Sequence, residues 1–328
     1  MFRAFLKRYW YLLALLCTVA LGFLTSAVGR LLNPGSVTTT AIVVILFFIA
    51  GLTLPSENIR KGLRFIGLHL YIQLFIFVVF PLYFFLTLKL FHSSLDPRLY
   101  AGLIALACLP TTISSCIVFT QSAGGNVVGT MFNASLSNLL GIFLSPLLIS
   151  VILSSSRMSL PMSDILRVLK SLLLKMLLPI SIGQLLRLFV KQAVQSIRGK
   201  LSVTSRLLIL LIIYFTIAKA AASPLFLQTL STMALPFVYL AGSHLVLLLL
   251  AYAGARALRF TPENIVSVVF TAPQKTIAMG VPLLTTYFAA DADLLGVAIL
   301  PLIFYHSWQL IIAGFIRSLA PLRTGSRD

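Results

Sequence analysis

The sequence predicts an all-α polytopic membrane protein of ten transmembrane helices, built as two inverted five-helix repeats. Three observations predict it. Of 328 residues, 59% are hydrophobic and only 10% charged, where a soluble domain carries about 25% charged residues, so much of the surface must face lipid; mean hydropathy is +1.04. The apolar residues gather into ten stretches, each near the ~20 residues that cross a ~30 Å hydrocarbon core at 1.5 Å per residue. Two of these stretches, the fourth in each half, are interrupted by proline at matching places. The net charge of +18 does not indicate a nucleic-acid partner, because Lys and Arg punctuate apolar runs instead of lining one wetted face. Cys17, Cys108 and Cys116 make neither a disulfide framework nor a metal set.

In chain order, a cytoplasmic N-terminus (1–9) precedes a first repeat (10–153) with spans near 10–29, 38–55, 65–91, 99–120 and 127–153. The first span is too long past Trp10 for a cleaved signal peptide. Residues 154–190 hold an outer interfacial stretch, SDILRVLKSLLLK, whose Arg167, Lys170 and Lys175 mark it as amphipathic, followed by span six. The most polar stretch, 191–205, reads as a cytoplasmic loop. Spans seven to ten (206–223, 232–257, 262–288 and 293–318) fill 206–318, and 319–328 is a cytoplasmic tail. With both termini inside, 16 of the 25 basic residues fall in cytoplasmic segments and 5 outside, as the positive-inside rule requires. The expected location is a cell membrane, the inner one in a bacterium. Five spans per half is an odd number, so a duplicated copy must insert upside down.

The interruptions come next. Span four carries Pro110 before Thr111, Thr112, Ser114 and Ser115; span nine carries Thr271, Pro273, Gln274, Lys275 and Thr276. Proline removes a backbone donor, and freed backbone groups survive at membrane depth only when buried in protein or facing a watered cavity. Paired interrupted spans point to a midplane binding site, so Thr111, Thr112, Ser114, Ser115, Pro273, Gln274, Lys275 and Thr276 are candidate substrate-binding residues. Ordinary proline kinks with self-bonded hydroxyls are the bland alternative. Lys275 stands about a dozen residues from either end of its span, where a cation costs at least ~3 kcal/mol. All seven acids, from Glu57 to Asp328, sit at span ends or in loops. Its partner must therefore be carbonyls, hydroxyls, water or an incoming anion, unless the lysine snorkels. On span five, Thr130, Asn133 and Ser137 share one face, with Asn138 adjacent; such stripes also serve as interhelix glue. His69, His244 and His306 read as packing contacts, and no nucleotide-binding, metalloprotease or serine-hydrolase motif is present.

The stretches LPTTISSCIVFTQSAGGN, NASLSNLLGIFLSPLL, LHLYIQLF, TAPQKTIAMGVP and LIFYHSWQLIIAG resemble the bile acid:sodium symporter family, closest to its cotransporter-7-like branch. The resemblance implies a panel of helices one, two, six and seven and a core of the others, with helices four and nine unwound and crossing. It implies sodium as a coupling ion, held by side-chain and carbonyl oxygens, no other cofactor, and a small organic anion as substrate. Carried over by motif, the ion-binding candidates are Gln73, Ser115, Thr271 and Gln274, together with Thr130, Asn133 and Ser137. Thr271 stands where the family has a glutamate, and Lys275 adjoins the glutamine; both changes weaken attraction for a cation.

The leading expectation is a secondary active transporter of an organic anion working by alternating access. A sodium-independent exchanger or exporter, with Lys275 in place of a bound cation, and a non-transporting regulator of ion homeostasis are the alternatives. An enzyme would need a carboxylate pair, a metal set or an activated nucleophile, which the loop acids do not supply. Substrate identity and oligomeric state are not encoded in any motif.

Overall fold

A computed structural model describes residues 2–53, 65–90, 95–154, 166, 170–289 and 291–319, and helices are the regular elements among them. They are α1 (Phe2–Leu24), α2 (Ser26–Leu32), α3 (Val37–Thr53), α4 (Ile66–Leu74), α5 (Phe80–Lys89), α6 (Pro97–Ala107), α7 (Ser114–Ser122), α8 (Val127–Ser154), α9 (Leu178–Ala220), α10 (Pro224–Ser231), α11 (Ala234–Ala257), α12 (Pro262–Thr271), α13 (Ile277–Tyr287) and α14 (Ala292–Leu319). Single π-helical turns, Phe75–Val79 and Leu173–Leu177, join α4 to α5 and lead into α9.

Six helical runs among the described residues are long and apolar enough to cross a membrane: Pro34–Thr53, Ile66–Lys89, Val127–Ser154, Lys170–Ala220, Ala234–Ala257 and Asp293–Arg317. A seventh is bent by 94° between Leu13–Leu24 and Ser26–Leu32. The chain is therefore a multi-pass membrane protein, and Leu188, Phe189 and Leu235 stand exposed on helix flanks as lipid-facing side chains would. The ten expected separate spans are not all found as such. Expected spans six and seven form one helical run, kinked at Val190 (φ −114°, ψ 21°), and the polar segment 191–205 is helix instead of loop. The reason is local: KQAVQSIRGKLSVTS lacks proline and is rich in good helix formers, so its polarity reports exposure, not a break. The N-terminal segment 1–9 is likewise helical from Phe2. Of the expected interfacial stretch, residues 163–165 and 167–169 lie outside the described residues, as do 320–328.

Expected spans four and nine are the two that divide. α6 and α7 are 11 and 9 residues long, and α12 and α13 are 10 and 11. At 1.5 Å per residue no one of them reaches across a bilayer, so each pair makes one discontinuous span. Both pairs begin alike. Asp96 caps α6 by accepting from the Arg98 N–H at 2.8 Å, Thr261 caps α12 by accepting from the Asn264 N–H at 3.4 Å, and each cap is followed by proline at the first helical position, where its missing donor is harmless.

The chain divides into two compact units, the first comprising 1–54, 160–233 and 281–300, the second 55–159, 234–280 and 301–328. In the first unit α3 and α9 pack backbone to backbone. A Cβ on Gly51 would strike the Ile180 backbone, one on Gly183 the Phe48 carbonyl, and Gln184 donates to the Gly51 carbonyl at 2.6 Å. Small residues that let helices approach this closely are the usual cement where lipid removes any hydrophobic drive. In the second unit Phe80 stacks on Phe84 and meets Tyr305 edge-on, with centroids 5.2 and 6.0 Å apart.

Candidate functional site

The second unit brings the two breaks together. α6 stops at Ala107 because Pro110 cannot donate, and α12 stops at Thr271 ahead of Pro273. The stretches between the half-helices, 108–113 and 272–276, carry backbone groups without helical partners, and buried groups of that kind must be paired. They pair first with each other. Thr276 N–H donates to the Pro110 carbonyl at 3.0 Å, and the Thr111 hydroxyl donates to the Thr271 carbonyl at 2.6 Å.

The helix following each broken span supplies further partners. On α8, Asn138 donates to the Thr111 carbonyl at 2.8 Å. On α14, Gln309 accepts from the Lys275 N–H and donates to the Lys275 carbonyl, both at 2.8 Å, while Tyr305 donates to the Pro273 carbonyl at 2.7 Å. His244 Nδ1 meets the Tyr305 hydroxyl at 2.8 Å, and His306 Nδ1 lies 3.0 Å from Gln309 Nε2. The loop between α7 and α8 is tied to the start of α12 through Asn126, whose amide donates to Asn264 at 2.8 Å.

Lys275 is wholly buried. Its ammonium donates to the carbonyls of Ala107 and Leu109 at 2.7 Å each and of Ile76 at 3.2 Å, and sits 3.9 Å from the centre of the Phe80 ring. That resolves how a cation is kept at this depth: carbonyl dipoles and an aromatic face take the place of a carboxylate. All three N–H bonds point into protein, so in this conformation none is offered to a substrate.

The other expected residues fall into three groups. Thr111, Pro273, Lys275, Thr276 and the Thr271 carbonyl belong to the stitched crossing itself. Gln73 donates to both the carbonyl and the side-chain oxygen of Asn133 at 3.1 Å, and Asn133 donates to His69 Nδ1 at 2.9 Å. Gln73 Oε1, Gln274 Oε1 and Thr271 Oγ1 are buried acceptors without a hydrogen-bond partner. The third group turns inward on itself: Thr112 pairs with Ser115 and with Cys116 at 3.0 Å, Thr130 with Thr120 at 3.1 Å, and Ser137 with its own helix at Ala134. Ser114 stands exposed at the start of α7.

Sequence reasoning missed Tyr305 and Gln309 as closers of the break; with His306 they fall at positions i, i+1 and i+4 of one helix, a polar face within an apolar span. It also missed the π-turn at Phe75–Val79, which proline at 81 announces. The first unit carries a small pocket of its own, about 40 Å³, lined by Asn33, Thr39, Lys175, Thr216, Lys219 and Thr285 among others. No acid is among its lining residues.

Paired discontinuous spans stitched near their breaks are the hallmark of secondary transporters, and the comparisons with known proteins agree. The chain belongs to the SBF-like CPA transporter family, whose profile matches residues 9–320. It is similar to sodium/bile acid cotransporter 7 of Xenopus tropicalis, 28% identical over 317 residues that cover 95% of this chain and 91% of that protein. The same-named protein of Rattus norvegicus is 28% identical over 94% of this chain and 92% of its own length. A candidate symporter of Escherichia coli (strain K12), YfeH, is 31% identical over 85% of this chain and 82% of its own. The family and these relatives are transporters, not enzymes.

Proposed function

We propose that the chain is a secondary active transporter that carries a small organic anion across the membrane by alternating access, with two inverted repeats and both termini cytoplasmic. The observation that carries the proposal is the stitched pair of breaks. Half-helices joined by a few hydrogen bonds, of which Thr276–Pro110 and Thr111–Thr271 are two, form a unit that can be exposed to one side and then the other while the breaks stay tied to each other.

Two features support an anionic substrate. The relatives are named for bile acids, and the cavity of the first unit offers Lys175, Lys219 and several hydroxyls with no acid beside them. For coupling, the unpaired oxygens of Gln73, Gln274 and Thr271 are the hard donors a sodium ion takes. They carry no charge, so they attract sodium less strongly than a carboxylate would.

The test is uptake of radiolabelled taurocholate and of small carboxylates into proteoliposomes, with sodium replaced by choline. Uptake above empty vesicles, with a sodium Hill slope no greater than one, is expected. Lys175→Gln or Lys219→Gln raises the half-saturation concentration roughly 10–100-fold, about the loss of one charge-assisted hydrogen bond. No flux for any anion, or a Hill slope near two, overturns the reading.

A further inference from the structure

We propose that the Lys275 ammonium is a tethered monovalent cation, permanently filling an ion site formed by three backbone carbonyls and the Phe80 ring at the crossing. What this means for ion coupling rests on the transporter reading above; the site itself rests only on geometry.

Each of the three carbonyls lacks a partner in its own helix, and each for its own reason. Ala107 ends α6, and Leu109 lies beyond it in the break; the last amide donors there, Cys108 and Leu109, bond back to Ile104, Ala105 and Leu106. Ile76 lies in the π-turn. There Phe80 N–H reaches back five residues to Phe75, so the next bond in that register would run from residue 81 to Ile76. Residue 81 is proline, which has no N–H to give. The turn and the proline together leave one carbonyl free, and the ammonium takes it at 3.2 Å. π-turns recur at functional sites because they release backbone groups in this way.

The coordination suits an ammonium: three carbonyl oxygens lie within hydrogen-bond distance of Nζ, as many as an ammonium has N–H bonds to give. The face of Phe80 at 3.9 Å also favours positive charge. Carbonyl oxygens and a ring face, without a carboxylate, are ligands suited to a monovalent cation. An ion supplied by the chain cannot dissociate, so this site adds no cation to the stoichiometry of transport and stays filled in the absence of sodium.

A site of this kind makes a prediction that a simple hydrogen-bonding staple does not. Lys275→Ala removes three carbons and the nitrogen, the heavy atoms of n-propylammonium. In thermal unfolding of the purified full-length variant, with N-methylglucamine as the bulk cation, about 50 mM propylammonium should raise Tm by roughly 5 °C. Neutral 1-propanol, which has the same size and an O–H to donate but no charge, should not, and the wild type should move by less than about 1 °C with either. Equal effects of the two compounds on Lys275→Ala overturn the proposal. Should that variant not fold, Lys275→Met keeps most of the stem and removes the charge. Hydrogen exchange at 108–113 and 272–276 is then expected to quicken severalfold, and exchange at the wild-type rate overturns the proposal. Neither readout uses flux, so a wild-type protein that transports no anion defeats the transporter reading and leaves this one standing.

Discussion

Gln309 closes the second break more completely than any other side chain, and Gln309→Met isolates that contribution. Methionine matches the length of glutamine and fills the same space, so packing changes little. What changes is that the Lys275 N–H and carbonyl, bonded to Gln309 Oε1 and Nε2 at 2.8 Å each, lose their partners in a site with no exposure. Leaving one buried polar group unsatisfied costs about 1–3 kcal/mol. Two groups bring the loss to roughly 2–6 kcal/mol, less whatever His306 recovers by moving onto the carbonyl. For a chain of this size that is a fall in Tm of roughly 5–15 °C. The assay can use the protein's own thiols. Cys108 and Cys116 are buried at the first break, and Cys17 is exposed; with Cys17→Ser as background, a thiol-reactive dye reports opening of the crossing. Gln121→Met serves as control, because Gln121 is exposed on α7. The Gln309→Met protein should label faster below its Tm and unfold earlier, and the control should do neither. A Tm within about 1 °C of the parent, or an equal loss in the control, would refute the accounting by which side chains replace lost helical bonds.

Two further predictions follow from individual residues. Pro81→Ala restores an N–H that can reach the Ile76 carbonyl, so one of the three acceptors around Lys275 becomes contested; hydrogen exchange at 272–276 should rise at least about twofold even though alanine suits the helix better, and unchanged exchange would mean the proline does not set that carbonyl free. Ser196→Cys, on the exposed helical segment 191–205, should be labelled by a membrane-impermeant maleimide only from the cytoplasmic side, and labelling from outside would reverse the topology.

How far the sequence carried depended on what kind of signal each feature left. The paired breaks were legible because proline is a local, categorical cause: Pro110 and Pro273 remove donors whatever surrounds them, and the half-helices end where they must. That Lys275 needs partners other than an acid was legible, since no acid lay deep in any span, but carbonyls, hydroxyls, water and an incoming anion all stood open, and its ligands were not legible. Two of them are backbone atoms, Ala107 and Leu109, that any residue type could supply. The third, Ile76, is released by a change of helical register. The polar run 191–205 misled in the other direction. Polarity was read as a break, yet nothing in those residues opposes a helix, and their exposed side chains are satisfied by water whichever backbone they ride on. For Thr130 and Ser137 spacing alone does not choose, because hydroxyls on one helical face can serve a ligand, a neighbour or their own backbone. Here Ser137 serves its own helix and Thr130 a neighbouring threonine.

The two breaks share a solution that explains why they can be kept at membrane depth. Each discontinuous span is followed by a helix, α8 or α14, that carries a side-chain amide to the break before it: Asn138 to Thr111, Gln309 to Lys275. An amide is suited to this task because it carries a donor and an acceptor on one rigid plane, the same pair a peptide group would have offered. At the first break Asn138 acts through its N–H groups alone: Pro110 has its carbonyl taken by Thr276, and Asn138 spends its other N–H on its own helix at Ala134. The second break exposes both groups of one residue, and Gln309 meets both. The remaining carbonyls then fall to groups with no acceptor role to satisfy, the ammonium of Lys275 above all. Charge enters this crossing as the last hydrogen-bond donor available once the amides are used, which is why a lysine can stand at membrane depth with no acid among the groups it donates to.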